Sequence, residues 1–205
     1  MIYPTVADIL SVCPKANKAI VAGIVSSLPT VGAAGGLTSI ARVAHFLGQA
    51  GVETDHFLTY EEYASGAAYE GRHDLGNTHA GDGRRFKGRG AFDLTGRANY
   101  AAATTWVANL MNRPSLDLVA TPEIVSADKA VGLATSLWFW KNRKLNVFAD
   151  TGVNDTSIEH ITHVINGGYN GLHERARLTY AFYKVLVNRQ AHAVVMASKY
   201  VNRSH

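Results

Sequence analysis

The sequence predicts a mainly helical chain with a small irregular or β-rich insert near its middle. Apolar residues recur at helical spacing up to residue 53 and again from residue 98. Between Gly66 and Gly96 glycine is frequent and that periodicity disappears. Proline and glycine fall mostly between the periodic runs rather than inside them.

In chain order, Val6–Ser11 and Ala16–Leu28 are expected as two short helices separated at Pro14, with Pro29 ending the second and Gly32–Gly36 a loop. Ser39 is an N-cap type residue, and after it Ile40, Val43, Ala44, Leu47 and Gly51 form a core-facing stripe. At about 100° per residue, Arg42, Phe46, Gln49 and Glu53 fall on the opposite side, the side that ordinarily meets solvent. Short extended pieces are expected in the insert, at Arg85–Lys87 and Ala91–Leu94. Helices resume over Ala98–Met111, Ser126–Lys141, Thr156–Ile165 and Leu172–Val187, with a sharp break at Asn166-Gly167-Gly168. Thr121-Pro122-Glu123 reads as an N-cap followed by proline at the first position of one more short helix.

The totals set bounds on function. A chain of 205 residues suffices for one domain with a buried core, or two lobes sharing a cleft. Its 47% hydrophobic and 18% charged residues are an ordinary globular balance. A formal charge of +4 suits an acidic polymer, either a bacterial wall or a nucleic acid. Cys13 is the only cysteine, so neither a disulfide framework nor a cysteine zinc site is available. Ala19–Leu37 is apolar but is broken by Pro29, glycines and a Ser-Ser pair, so it is expected as core helix plus loop rather than a membrane span. The N-terminus has no secretory pattern.

The chemistry centres on carboxylates. Glycoside hydrolysis needs one carboxylic acid to protonate the leaving oxygen and one carboxylate to activate water or attack carbon. On one continuous helix, Glu53 and Glu62 would point about 180° apart and stand about 13 Å apart along the axis. Convergence on one bond therefore requires the helix to end just after Glu53 and the chain to fold back, with Thr54-Asp55-His56 the place for it. Glu61 is the rival partner, and spacing alone does not choose between them.

Four motifs in order, ARVAHFLGQAGVET, EEYASGAAYEGRHDLGNTHAGDGRRFKGRG, DLTGRANY and VINGGYNGLHERAR, resemble the glycoside hydrolase family 19 catalytic domain of plant-type chitinases and many phage endolysins. The likeness covers about residues 40–187. It implies a lysozyme-like, two-lobed helical domain occupying residues 1–205, with helices of residues 1–38 packed on the family-like core. Position by position, it implies Glu53 as general acid, Glu62 as general base and Thr95 as the hydroxyl that holds the attacking water. Asn99 and Asn166 fall on amides lining the sugar subsites, and Arg175 or Arg177 on the basic residue supporting the acid. The family inverts configuration, which implies carboxyls about 6.5–9.5 Å apart, with Glu53 held protonated by partial burial and Glu62 exposed and ionised. The chain departs from the pattern at Val52, where relatives have histidine, and at Asp93, where they have glutamine. Asp93 turns a sugar contact from an amide into an anion.

Competing signals are weaker. His73 and His79 with Asp74 and Asp82, and His160 with His163, lack a recognised zinc spacing, so no metal is expected, and no cofactor is implied. The run Arg84-Arg85-Phe86-Lys87-Gly88-Arg89 suits nucleic acid in isolation, but in the resembled fold it borders the glycan cleft as a basic rim. Trp138-Phe139-Trp140, with Trp106, is expected in the core. The expectation is a monomeric endolysin that hydrolyses β-1,4 links of peptidoglycan, is made in the host cytoplasm without a signal peptide and acts at the wall. It has no nucleic-acid partner and no stable membrane insertion. The alternatives are a chitinase, or a glycan-binding protein whose turnover has weakened.

Overall fold

The computed structural model describes residues 1–201. Its helices are α1 (Val6–Val12), α2 (Lys18–Ser27), α3 (Ile40–Glu53), α4 (Asp82–Arg85), α5 (Arg97–Leu110), α6 (Ile124–Ala127), α7 (Lys129–Asn142), α8 (Asn146–Ala149), α9 (Asp155–Asn166) and α10 (Leu172–Val201).

Side-chain caps start five of them, α1, α2, α3, α7 and α9. Thr5 and Asp8 close a capping box on α1, and Asn17 accepts from the first amides of α2. Helix α2 stops at Ser27, just ahead of Pro29, but the chain does not pass straight into a loop. The chain widens into a π turn over Leu28–Gly32, where proline sits in the first turn and no amide hydrogen is required of it. The Ser39 hydroxyl accepts from the Arg42 amide at 3.2 Å, so α3 starts where its cap predicts.

The expected polar side of α3 is not solvent-facing. Phe46 and Gln49 are as deeply buried as Val43, Ala44 and Leu47: Phe46 meets Phe92 and Trp140, Gln49 meets Thr162 and Arg175, and α10 lies along the helix. The approach is close: a Cβ on Gly48 would stand 2.8 Å from the Thr179 backbone, and one on Gly51 2.8 Å from Leu178. Past Glu53, three consecutive non-glycine residues turn left-handed, Asp55, His56 and Phe57, with φ of 48°, 60° and 63°. That backbone is unfavourable for L-residues. It is offset by Thr54, whose hydroxyl donates to the Ala50 carbonyl at 2.6 Å and accepts from the Phe57 amide at 3.1 Å. The fully buried Phe57 ring, edge-on to Phe182 at 6.2 Å, anchors the turn.

The insert is irregular rather than stranded. Among the described residues its only β pairings are isolated bridges, Glu61 to Arg89 and Arg89 to Leu94. Arg85 belongs to α4, and Ala91 to Asp93 form a turn, so neither expected extended piece is present. Positive φ at Gly66, Gly76, Gly81, Gly90 and Gly96 bends the chain before a strand can run. Side chains hold the bends: Asn77 links the Tyr69 carbonyl to the Arg97 amide, and Asp82 pairs with Arg97 at 2.6 Å.

The expected helix 126–141 is split, because Asp128 leaves helical geometry to cap α7 through the Ala130 and Val131 amides. Thr121 does not cap α6. Its hydroxyl donates to the Asp117 carbonyl, and α6 starts after Glu123. Gly167, at φ 73°, ends α9 as expected. The last helix runs past Val187 to Val201, and residues 202–205 of the basic tail lie outside the described residues.

The buried apolar residues divide into two clusters, giving a two-lobed helical architecture. One gathers α1, α2, α3 and α10 around Leu28, Phe46, Trp140 and Phe182. The other gathers Phe86, Tyr100, Val107, Leu118 and Val125. Helix α7 belongs to both, giving Leu133, Leu137 and Trp140 to the first and Val131 and Ala134 to the second. No helix among the described residues is long and apolar enough to cross a membrane, and α2 packs against α7.

Candidate active site

Between the lobes lies a cleft of about 510 Å³ lined by Glu53, Phe92, Asp93, Thr95, Asn99, Trp138, Phe139 and Arg143, among others. Glu53 ends α3 with its side chain 19% exposed. Its Oε1 accepts from Arg175 Nη2 at 2.6 Å. The same guanidinium donates to Gln49 Oε1 at 2.7 Å and to the Asn170 carbonyl at 3.1 Å, and Gln49 in turn donates to Thr162. A buried polar chain thus reaches from α9 and α10 through α3 to one carboxylate. It explains why α3 keeps a buried glutamine, and it chooses Arg175. Arg177 turns outward to Glu174. Val52 packs against the first core, so the contacts of Glu53 come from Arg175 rather than from its chain neighbour.

Glu62 lies outside the enclosed part of the cleft, after the left-handed reversal. Its Oε1 accepts from the Gly88 amide at 3.0 Å and its Oε2 from the Tyr69 hydroxyl at 2.9 Å. Glu61 is oriented differently. Lys87 at 2.8 Å, Arg89 at 3.2 Å and the Ser126 hydroxyl at 2.9 Å occupy it. Burial raises its pKa, but these partners outweigh that and hold it below the usual carboxylate range. Of the two adjacent glutamates, Glu61 is thus the one that pairs with the basic run.

That run is correspondingly not an open rim. Phe86 is buried, Lys87 and Arg89 turn inward to Glu61, and Arg85 donates to the Val119 and Ala120 carbonyls. Arg84 remains exposed.

Asp93 lines the same cleft as Glu53. It too is left-handed, at φ 43°, and its side chain abuts Gly88, where an added Cβ would lie 3.1 Å from Asp93 Cβ. Burial, then the negative charges of Glu53 and Glu62, push its carboxyl up to about 7. Both glutamates thus lie within electrostatic reach of the same group. The Thr95 hydroxyl donates to the Asp93 carbonyl at 2.7 Å, and Asn99 donates to the Thr95 carbonyl at 2.7 Å. Asn166 sits at the end of α9, accepting from the Asn170 amide at 3.3 Å, while its neighbour Ile165 lines the cleft.

The aromatic expectation holds in part. Trp140 is fully buried, but Trp138 and Phe139 are half-buried and line the cleft, as does Phe92. Their helical spacing suited a core, and only the position of α7 between two cores exposes one face of it. Four of the six residues in those histidine and aspartate groups have other partners: Asp74 with Arg72, Asp82 with Arg97, His163 against Tyr169 and His160 against Phe148. Among the described residues no group of three or more histidine, cysteine or acidic side chains could hold a metal ion.

A two-lobed helical molecule with two glutamates in electrostatic reach of a half-buried aspartate, beside an aromatic-walled cleft, has the layout of a glycan-cleaving domain. The chain belongs to glycoside hydrolase family 19: the family model described as chitinase class I matches residues 15–154. The match begins before the span legible in the sequence and ends before α9. A family 19 domain-containing protein of Haemophilus influenzae is 32% identical over 57% of this chain and 50% of its own length. Chitinase 8 of Oryza sativa is 30% identical over 59% of this chain and 43% of its own. The chain thus spans about half the length of these relatives or less. In fold it is similar to chitinase C of Streptomyces griseus, with TM-score 0.66 and 21% identity over 89% of this chain and 76% of that one. It is also similar to a class IV chitinase of Zea mays, with TM-score 0.63 and 18% identity over 89% of this chain and 92% of that one.

Proposed function

We propose that the chain hydrolyses β-1,4 links of an amino-sugar polymer with inversion, using Glu53 as general acid and Glu62 as general base. The observation that carries this is the reversal at Asp55–Phe57, which takes the chain from a carboxylate at the end of α3 to a second one, both within electrostatic reach of Asp93. Glu53 gives its proton to the glycosidic oxygen as the C1–O bond breaks. Water bonds to C1 from the other face, and Glu62 takes its proton. The Thr95 hydrogen is already committed to the Asp93 carbonyl, so its oxygen meets the water as an acceptor. Arg175 positions Glu53, and Asp93 and Asn99 meet the sugar.

The polymer is inferred to be peptidoglycan, with the protein acting as an endolysin. A net charge of +4 and an arginine in the cleft wall favour an anionic strand over a neutral one. Chitin is the second reading, favoured by the names of the plant relatives. Digesting purified peptidoglycan and chitin oligomers side by side, with products identified by mass and reducing end, tests both. Release from the first alone, or much faster, is expected. Release from chitin alone installs the second reading, and saturable binding without new reducing ends removes hydrolysis altogether.

A further inference from the structure

The wall that α7 gives the cleft plays no part in the proton transfers. Its last turn presents Trp138, Phe139, Asn142 and Arg143 to the same space as Glu53. Arg143 is exposed, and its guanidinium carbon lies over the Phe139 ring at 5.5 Å from the centroid. Phe139 meets Phe92 edge-on at 6.1 Å, and Phe92 precedes Asp93 in the chain. An aromatic wall therefore connects the cation to the carboxyl group at the site.

Most other arginines among the described residues are paired, although Arg84 stays exposed. Arg42, Arg97, Arg113, Arg175 and Arg177 each hold a carboxylate. Among the described residues no carboxylate pairs with Arg143. A cation at a helix C-terminus is favourable in itself, and α7 also ends in Lys141 and Lys144. Lys141 turns over Trp106 at 5.4 Å, and neither lysine lines the cleft. Charge at the helix end thus accounts for all three residues, whereas facing the cleft from an aromatic support is particular to Arg143. A guanidinium held over a ring is favoured by its cation–π attraction, and its paired N–H donors match a carboxylate as a lysine ammonium does not.

We infer that Arg143 is a specificity-determining residue that binds a carboxylate carried by the sugar strand itself. The group of that chemistry in the proposed polymer is the lactyl carboxylate of a muramic-acid unit freed of its stem peptide; a neutral N-acetylglucosamine strand has none. This rests on the amino-sugar reading of the cleft but not on turnover.

Binding separates the two. In a Glu53→Gln background, calorimetry compares a peptide-free muramic-acid-containing tetrasaccharide with the N-acetylglucosamine tetramer at low salt. The first is expected to bind about tenfold tighter, the scale of one charge-assisted pair. Adding Arg143→Gln is expected to erase that preference, and adding Lys144→Gln, the same charge change outside the cleft, to leave it in place. Equal affinities for the two sugars, equal weakening of both by Arg143→Gln, or the same loss from Lys144→Gln would each overturn the inference. An Arg143-dependent preference in a chain that releases no reducing ends would support the inference while removing the hydrolase reading. Cleavage of the neutral tetramer without any preference would do the reverse.

Discussion

Arg175 and Glu53 meet at 2.6 Å, joining residues 122 positions apart in the sequence, with the arginine side chain only 3% exposed. Removing the arginine leaves the carboxylate and the Gln49 carbonyl without their donor in a confined site. Arg175→Ala is expected to cost about 3 kcal/mol, the low end for breaking a buried pair. In a chain of this size that lowers the melting temperature by roughly 6–12 °C, measurable by calorimetry.

Glu53→Gln keeps an acceptor for Arg175 but has no proton to give. Hydrolysis, followed as reducing ends, is expected to fall about 10²- to 10⁴-fold with the melting temperature within a few degrees of the parent. Glu62→Gln is expected to behave alike. Near-parental turnover by either variant refutes its assignment.

Glu61→Gln is the contrasting case. It breaks ion pairs with Lys87 and Arg89, and because the glutamate is 37% exposed their worth is discounted to about 1 kcal/mol. A melting temperature lower by a few degrees, with turnover reduced far less than in Glu62→Gln, is expected. Equal loss of turnover in the two variants would put Glu61 in the chemistry.

Asp93 makes the protein sensitive to pH near neutrality. Its folded pKa of about 7 lies above the roughly 3.9 of an unfolded aspartate. The stability it contributes is therefore fully present below the unfolded value and is lost as pH rises through 7. Asp93→Asn removes the titration, so it is expected to raise the melting temperature more at pH 8 than at pH 4. The same variant is expected to flatten any limb near 7 in the pH profile of kcat/KM. An identical melting difference at both pH values contradicts the assignment.

The sequence made some of this legible and hid the rest for physical reasons. Ser39 and the stripe after it foretold α3 because a cap and helical spacing are local signals. The same holds for the stop at Gly167. Motif order points to Glu53 and Glu62 as the proposed pair, but what sets Glu62 apart from Glu61 is where Lys87 and Arg89 turn, which spacing does not encode. Arg175 and Arg177 lie on different sides of α10, and only the packing of that helix on α3 separates them. The break at Asp128 carried a readable signal, a strong cap residue inside a periodic run, and the apolar pattern masked it. Phe92, Tyr69 and Arg143 had no local signature, because each acquires its place from a distant element.

Because α7 supplies side chains to both apolar clusters, neither lobe can lose its packing without disturbing a rod that the other also grips. Heating should accordingly give one sharp endotherm rather than two, with the cleft wall and the scaffold behind it disappearing together. A protein of this build trades partial survival for coherence: while it is folded at all, its binding surface is intact.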